Sequence, residues 1–321
     1  MSVTYTIRHT TSFTYEHPVS ESVMELRMRP ATAAGQRCLQ FEVDVQPRSR
    51  VFAYNDFLGN WVHHFDIPRR HGQLTVVTRS QVQLDDAEDL PETLALETWA
   101  EVDRWQETGA HWDFRQPSRF AAWSGPLLDL ATAVTPSRAV DPLTLTRIVM
   151  AAIHGGFKYL PNSTQVDSPI DVALASHAGV CQDFSHIMIA VLRRAGLPAR
   201  YVSGYIAPRG DAGTDLSAIA THAWVEVLLP EHGWIGVDPT HNVPAGVRHI
   251  RVAVGRDYAD VPPTRGVFKG KTSSRLAVSV EVSRGEALPT LDRAELEHAW
   301  SAAAAPTEED DRHERQQQQQ Q

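Results

Sequence analysis

A cysteine, a histidine and an aspartate occur in this sequence in an order that could support nucleophilic catalysis. Cys181 follows Gly179-Val180 and begins an apolar run at helical spacing, whereas His222 starts one strand-like segment and Asp238 ends another. The macrodipole and the free N–H groups at a helix N-terminus both favour a thiolate. An imidazole can take the thiol proton, and a carboxylate can hold that imidazole in one tautomer. The three residues therefore predict a thiol nucleophile that attacks an acyl carbonyl and forms a thioester.

The strand periodicity sets a condition on this interpretation. Side chains on one face of a strand recur every two residues, so Asp238 must occupy the same face as His222 to contact it. This requires a hairpin loop with an odd number of residues around Glu231, which pairs Trp224 with Asp238. His222 and Asp238 are then diagonal neighbours with Cα atoms about 7–8 Å apart. An even loop would place the two side chains on opposite faces.

An oxyanion formed at Cys181 needs hydrogen-bond donors. The backbone N–H of Cys181 is the first candidate, and the side chains of Gln182 and Asn162 are weaker ones. Asp183 falls in the first turn of the predicted helix, where it suits the helix dipole. Its negative charge would oppose a thiolate, so we expect its side chain to face away from the sulfur.

Composition limits the classes of function. The chain has 321 residues and a formal charge of −9, which disfavours nucleic acid or an anionic membrane as the main partner. No apolar stretch approaches the roughly 18 residues of a membrane helix, and the N-terminus lacks the pattern of a signal peptide. We therefore expect a cytoplasmic protein.

The remaining thiol and imidazole groups indicate neither a disulfide framework nor a metal centre. Only two cysteines are present, and Cys38 lies in a strand-like segment without a neighbouring histidine or aspartate, so it is interpreted as structural. His63 and His64 are adjacent on a predicted strand and face opposite sides. We expect neither a metal nor an organic cofactor.

The elements that must position these residues fall into two units. Residues 1–84 carry β-branched and aromatic segments separated by Pro, Gly and Asn, which predicts an antiparallel β-sandwich-like domain. Residues 85–285 contain helices followed by strands, including Leu276 to Val282, and predict an α+β catalytic core. Residues 286–321 are a low-complexity tail ending in six Gln, with disorder expected beyond about residue 305.

Four ordered motifs resemble the transglutaminase-like superfamily, and more closely the bacterial transglutaminase-like cysteine proteases with an N-terminal β domain. They are GVCQDFSH from Gly179, GLPARYVSGY from Gly196, THAWVEV from Thr221 and GWIGVDPT from Gly233. The similarity extends to VGRDYADVPP from Val254 and to YTIRHTT from Tyr5, and it covers about residues 1–285. It implies a papain-like core with a catalytic triad at Cys181, His222 and Asp238. His241 departs from the pattern, because many relatives carry Asn there.

Several other residues are candidates for substrate contact, each with a structural alternative. Tyr205, Arg256 and Tyr258 could line a cleft, but turn and ion-pair roles explain them equally well. Trp224 is a further candidate, although an aromatic residue on a strand is more often core or pocket wall. His186 lies near the opposite flank of the predicted helix, which favours a structural or surface role.

The sequence thus predicts a thiol enzyme acting on a peptide or protein substrate. Hydrolysis by a cysteine peptidase or amidase is preferred, because nothing in the sequence excludes water from the thioester. Transamidation by an amine acceptor is one alternative. A non-catalytic peptide-binding module that retains the fold is another. The sequence does not indicate an oligomeric state.

Overall fold

The computed structural model describes residues 2–33, 35–86, 90–135, 137–208 and 221–285. The predicted tail at 286–321 lies outside these residues. The N-terminal region consists of six strands: β1 Ser2–Val19, β2 Glu21–Leu26, β3 Gln36–Gln46, β4 Phe52–Asn55, β5 Trp61–Ile67 and β6 His71–Asp85. The chain then forms helices α1 Thr98–Thr108, α2 Gly125–Val134 and α3 Pro142–Gly156, with a 3-10 turn at Trp112–Phe114.

The second half of the chain supplies the elements of the site. It contains β7 Lys158–Tyr159, α4 Ile170–Ser176, β8 Ala178–Gly179, α5 Cys181–Arg194, β9 Ala199–Ile206, β10 Thr221–Leu229, β11 Gly233–Asp238, β12 Val243–Pro244 and β13 His249–Gly255. A 3-10 turn at Tyr258–Asp260 leads to β14 Thr264–Lys269 and β15 Ser274–Arg284. The predicted α+β class with an N-terminal β-sandwich-like unit is confirmed.

The sandwich is built from two four-stranded antiparallel sheets. Their orders are β15-β1-β6-β3 and β14-β2-β5-β4. Apolar side chains from the two inner faces form one buried cluster, which includes Leu26 and Phe65 from one sheet and Leu74 and Val76 from the other. Alternating apolar residues on strands that face each other explain this core, as the sequence pattern predicted.

The last two strands in the described part of the chain complete the sandwich, which corrects the predicted division of the chain. Leu276 to Val282 was expected in the sheet of the catalytic core. In the structure, β15 pairs with β1 from Tyr5↔Arg284 to Tyr15↔Ser274, and β14 pairs with β2. The partners are more than 230 residues apart along the chain, a separation over which local sequence patterns carry no pairing information. The sandwich is therefore formed from both ends of the described chain.

The α+β unit places helices against a five-stranded antiparallel sheet with the order β12-β11-β10-β9-β13. The α5 helix is the central helix, because every residue from 183 to 193 is buried. The apolar spacing in the sequence predicted that only one face of α5 is buried. In the structure, neighbouring elements also cover the face that carries the polar residues. The cluster around α5 also includes Tyr5 and Ile7 from β1, so the sandwich and the α+β unit share one apolar core.

Within the described ranges, none of the helices has the length and hydropathy required to span a membrane.

Candidate active site

Cys181 is the first residue of α5, as predicted. Val180 has extended backbone angles and precedes the helix, and its N–H donates to the Asp183 carboxylate at 2.8 Å. The same carboxylate oxygen accepts the Thr164 hydroxyl at 2.7 Å. The Asp183 side chain therefore turns back over the helix start to cap it.

The glycine before Val180 permits this cap. A Cβ added at Gly179 would lie 2.9 Å from both Cβ and Oδ2 of Asp183. No side chain fits there unless Asp183 moves. Glycine at position 179 thus has a steric explanation, because it makes room for the Asp183 side chain that fixes the position of Cys181.

The hairpin between β10 and β11 has the register that the odd-loop condition requires. Val225 pairs with Val237 and Leu229 with Gly233, which leaves a three-residue loop centred on Glu231. Glu231 has a φ of 65°, in the left-handed region that such tight loops use. The same register places Asp238 opposite Trp224 and diagonal to His222.

The His222 imidazole connects the carboxylate to the thiol. Its Nε2 lies 2.8 Å from Oδ2 of Asp238, which leaves Nδ1 for Cys181. Burial alone would lower the pKa of His222, but hydrogen bonds to Asp238 and Cys181, together with the charges of both groups, raise it to about 9. The ring is therefore stabilised as an imidazolium between two acidic partners.

Asp238 is fully buried and accepts hydrogen bonds from five N–H groups. Oδ1 accepts the backbone N–H groups of Thr240 at 2.9 Å and His241 at 3.3 Å. Oδ2 faces His222, His241 Nδ1 at 2.7 Å and His249 Nε2 at 3.1 Å. Burial would raise the pKa of Asp238, but the hydrogen bonds from the three histidines hold it far below its usual range.

His249 supports this carboxylate from the opposite edge of the sheet. Its Nδ1 accepts the N–H of Gly246 at 3.2 Å, which places the ring proton on Nε2, facing Asp238. Burial lowers the pKa of His249 and keeps the imidazole neutral near pH 7. Sequence analysis did not identify His249, because it lies on β13, which pairs with β9 rather than with the hairpin.

Gly204 permits the close packing behind His222. It lies on β9 opposite His222, and an added Cβ would meet the Ile250 carbonyl at 2.2 Å and the Trp224 ring at 2.6 Å. The indole of Trp224 crosses this bare backbone and contacts His249, with ring centroids 5.3 Å apart. The absence of a side chain at Gly204 therefore leaves room for the Trp224 indole, which packs against the rings of His222 and His249.

Sequence comparison identifies the family of the chain. Residues 5–83 match the bacterial transglutaminase-like N-terminal region, and residues 131–239 match the transglutaminase-like superfamily. The protein ML0607 of Mycobacterium leprae is 34% identical over 279 residues, covering 86% of this chain and 97% of its own length. The chain belongs to the transglutaminase-like superfamily.

Two further similarities concern the fold and the core. A crystal structure described as a "Putative Cysteine Protease from Cytophaga hutchinsonii" superposes with a TM-score of 0.70 at 21% identity, covering 90% of this chain and 93% of that one. This similarity shows that the fold is shared. A Protein-glutamine gamma-glutamyltransferase of Pseudomonas aeruginosa is 34% identical over 119 residues, which are 36% of this chain and 18% of the Pseudomonas protein.

In this transglutaminase-like protein, two tyrosines flank the thiol. Burial and the charge of Cys181 both raise the pKa of Tyr201 and that of Tyr159. Tyr201 is fully buried, whereas Tyr159 is 46% exposed and belongs to β7, next to the strand that leads into Cys181. Tyr159 is thus a solvent-exposed aromatic side chain near the Cys181 sulfur. The sequence motifs did not identify this residue.

The two side chains predicted as oxyanion donors have different surroundings. The Gln182 amide donates to the Val166 carbonyl at 2.8 Å, which fixes it on the neighbouring loop. Asn162 is exposed in a turn with a φ of 62°, a backbone conformation that Asn tolerates well. The contact with Val166 gives Gln182 a structural role. Asn162 and the backbone N–H of Cys181 stay predicted donors.

Tyr205 and Trp224 are buried behind the site rather than exposed to a substrate. The Tyr205 hydroxyl lies 2.9 Å from Nδ1 of His9, so this residue connects the catalytic sheet to β1 of the sandwich. Trp224 is 2% exposed and packs beside the His222 ring, with centroids 6.1 Å apart. The prediction of substrate contact is wrong for Tyr205, and Trp224 is the wall that supports His222.

Arg256 and Tyr258 lie on the segment that follows β13. The Arg256 guanidinium binds both carboxylate oxygens of Asp260 at 2.9 Å, and its backbone carbonyl accepts Nη2 of Arg193 at 2.6 Å. Tyr258 is half-buried and contacts the Tyr201 ring edge-on, with centroids 6.2 Å apart. Arg256 therefore stabilises the turn, and Tyr258 stays a predicted substrate contact because it adjoins the tyrosine beside Cys181.

His186 has a structural role. Its ring is stacked between Phe120 and Tyr201, with centroid distances of 5.5 and 4.9 Å, and its Nε2 accepts the N–H of Tyr258 at 3.1 Å. Burial lowers the pKa of His186 to about 3. The neutral imidazole thus anchors the Tyr258 segment to α5, and the surface alternative for this residue is wrong.

Proposed function

We propose that this protein is a cysteine peptidase or amidase that hydrolyses amide bonds through a thioester on Cys181. One observation carries the proposal: Nε2 of the buried His222 ring lies 2.8 Å from Oδ2 of Asp238, and interaction with Cys181 helps to raise the pKa of the same ring. This arrangement provides a nucleophile, a base and a group that orients the base. The raised pKa of His222 favours transfer of the thiol proton to the imidazole near neutral pH.

The first half of the reaction forms the acyl-enzyme. The Cys181 thiol gives its proton to Nδ1 of His222, and the sulfur attacks the carbonyl carbon of the substrate amide. The negative charge on the carbonyl oxygen is stabilised by the backbone N–H of Cys181, at the positive end of α5. The C–N bond then breaks, and the leaving nitrogen takes the proton from His222.

The second half returns the enzyme to its starting state. A water molecule gives one proton to His222 and attacks the thioester carbon. The C–S bond breaks, the acid product leaves, and the imidazole returns its proton to the sulfur. Asp238 keeps its negative charge throughout, because its hydrogen bonds hold its pKa far below neutral.

Transamidation is the second candidate, and one observation favours it. The Pseudomonas glutamyltransferase is 34% identical to this chain over 119 residues. That length is close to the length of the segment 131–239, which matches the transglutaminase-like superfamily. In that reaction, a primary amine replaces water as the acceptor of the acyl group. We prefer hydrolysis because Cys181 is partly exposed and the adjacent Tyr159 is open, so water has access to the thioester.

The deciding experiment incubates the wild type and Cys181→Ala with a peptide library, with and without a primary amine, and analyses the products by mass spectrometry. Hydrolysis gives shorter peptides or a gain of one mass unit at a side-chain amide. Transamidation gives peptides that carry the mass of the amine. Cys38→Ala is the matched control, because it removes the other thiol from a distant part of the sandwich.

A third outcome would favour a non-catalytic binding module. If the wild type changes no peptide, but immobilised protein retains particular peptides, both enzyme proposals are wrong. We propose a peptide or protein as the substrate in each case, with neither nucleic acid nor membrane as a partner. A cytoplasmic location is also a proposal, and cell fractionation with periplasmic and cytoplasmic marker proteins tests it.

A further inference from the structure

Of the three histidines that direct a ring nitrogen to Oδ2 of Asp238, His222 and His241 could bind a metal ion together with that oxygen. His222 Nε2 lies 2.8 Å from Oδ2, and His241 Nδ1 lies 2.7 Å from the same oxygen. The three potential ligand atoms lie within 4.8 Å of one another. His222 and Asp238 are buried, whereas the His241 side chain is 37% exposed and opens the cluster to solvent. Hydrogen bonds explain this geometry without a metal. However, the cluster also contains three neighbouring ligand atoms of the kind that transition metals bind.

The carboxylate is already fixed by groups that would not be metal ligands. Oδ1 accepts two backbone N–H groups from residues 240 and 241. His249 donates to Oδ2, and the N–H of Gly246 on its Nδ1 prevents the ring from reversing its tautomer. Hydrogen bonds of this kind orient carboxylate ligands and commonly support metal sites.

We propose that His222, Asp238 and His241 form a binding site for a divalent transition metal ion of the Zn²⁺ type, which inhibits the enzyme when bound. Two imidazoles and one carboxylate match the ligand preference of such ions, whereas Ca²⁺ and Mg²⁺ prefer oxygen ligands. Tetrahedral coordination at about 2.0–2.1 Å separates ligand atoms by about 3.3 Å. This spacing requires Nε2 of His222 and Nδ1 of His241 each to move away from Oδ2 by about 0.5–0.6 Å, and water completes the coordination.

Inhibition follows from the proton that His222 must lose. To bind a metal, Nε2 releases its proton to solvent, and the remaining ring proton stays on Nδ1, facing Cys181. His241 transfers its ring proton from Nδ1 to Nε2, on the solvent side. With Nε2 on the metal, the single ring proton stays on Nδ1 of an uncharged imidazole beside the sulfur. His222 then has no free nitrogen to take a proton from the attacking water, and it is a much weaker acid toward the leaving nitrogen than the imidazolium is. Inhibition therefore rests on the proposed peptidase or transferase function, whereas metal binding does not.

The experiment measures binding and inhibition separately, with full-length protein that carries no polyhistidine tag. Co²⁺ is titrated into wild type and Cys181→Ala and followed by visible absorption, and Zn²⁺ binding is measured by calorimetry. We expect one ion per chain in both proteins. The Co²⁺ spectrum should show d–d bands of a nitrogen and oxygen site and no sulfur charge-transfer band, because the thiol is not a ligand.

The His241→Asn variant tests the assignment of the ligands. Asparagine retains a side-chain donor to Asp238 but replaces the imidazole ligand, so we expect affinity for Zn²⁺ to fall by at least about tenfold. In active protein, the Zn²⁺ concentration for half inhibition should rise by the same factor. His232→Ala is the matched control, because His232 is exposed on the hairpin loop.

Three results would overturn the proposal. They are the absence of binding at micromolar metal, equal affinities in wild type and His241→Asn, and a sulfur charge-transfer band that disappears in Cys181→Ala. The last result would place the ion on the thiol instead. If His241→Asn does not fold, His241→Gln serves at the same exposed position. If no activity is found in the peptide screen, the binding measurements still decide whether the metal site exists.

Discussion

His249 and His222 share a single oxygen of Asp238. Their Nε2 atoms lie 3.1 and 2.8 Å from Oδ2 of this fully buried carboxylate. His249 is held neutral and donates, whereas His222 is the ring that also contacts Cys181. The carboxylate therefore stays ionised and in one orientation during any proton transfer at His222.

Replacing this carboxylate tests its role directly. In Asp238→Asn, the amide cannot accept from three imidazoles and cannot stabilise a positive His222. We expect kcat to fall by about 10²–10⁴-fold with a smaller change in KM. The measurement uses peptides that the wild type is found to cleave. A loss of less than tenfold, with the fold intact by circular dichroism, would contradict the assigned role of Asp238.

The raised pKa of His222 predicts a loss of stability at alkaline pH. The folded-state pKa is about 9 against 6.5 for a free histidine, so the folded state binds more protons between these values. Its contribution is complete below about pH 6.5 and is lost as pH rises through about 9. The free energy of unfolding should therefore fall over this interval, as measured by urea denaturation.

His222→Gln supplies the comparison for that titration. Glutamine retains a donor to Asp238 but has no proton to lose in this range. Its stability should change less than that of the wild type between pH 6.5 and 9. Parallel curves for the two proteins would show that His222 is not the titrating group. Cys181→Ala, examined in the same way, reports how much of the slope depends on the thiol.

His9 predicts the opposite pH dependence. Burial lowers its pKa to about 4, so the unfolded chain binds the proton more tightly. Its contribution to stability is complete above about pH 6.5 and is lost as pH falls toward 4. His9→Gln should flatten the acid limb of a stability curve while retaining a polar partner for Tyr205. An unchanged acid limb would assign the effect to other groups.

The placement of Tyr205 and His9 shows where sequence reasoning reached its limit. The start of α5 and the hairpin register depend on local signals, namely the apolar spacing after Cys181 and the parity of a three-residue loop. The contact of Tyr205 with β1 spans 196 residues, and the pairing of β15 with β1 spans still more. Strand patterns indicate which face is buried but do not identify the distant partner.

The sequence motifs do not predict that three histidines surround Asp238, for a related reason. His241 was noticed only as a departure from the family pattern, and His249 belongs to a strand two positions away from the hairpin in the sheet. The pairing of β13 with β9 places His249 beside the site, and the glycine at 204 leaves room for the Trp224 ring between the strands. Such close packing follows from tertiary contacts between three strands, which no spacing rule describes.

Alkylation with iodoacetamide should distinguish the two cysteines. Cys181 interacts with His222, whose pKa is raised to about 9, whereas burial raises the pKa of Cys38 and disfavours its thiolate. We expect Cys181 to react at least tenfold faster than Cys38 near pH 7, as measured by peptide mapping. His222→Ala should slow the labelling of Cys181 and leave that of Cys38 unchanged. Equal labelling of both thiols would favour the non-catalytic alternative.

The steric requirement at Gly179 gives a prediction that concerns both stability and activity. In Gly179→Ala, the new methyl group would lie 2.9 Å from Asp183 and must displace the carboxylate that caps Val180. We expect a loss of about 1–3 kcal/mol of unfolding free energy, from strain and the lost cap. Because the same carboxylate fixes the start of α5, labelling of Cys181 should also slow.

Gly155→Ala is the matched substitution for that test. Gly155 lies near the end of α3, where an added Cβ meets no atom within 4 Å. Alanine in a helix is favoured over glycine by about 0.5–1 kcal/mol, so this variant should be slightly more stable and label normally. If Gly179→Ala behaves like Gly155→Ala in both measurements, the Asp183 cap does not position the thiol, and the helix start must be fixed by the β7–β8 pairing instead.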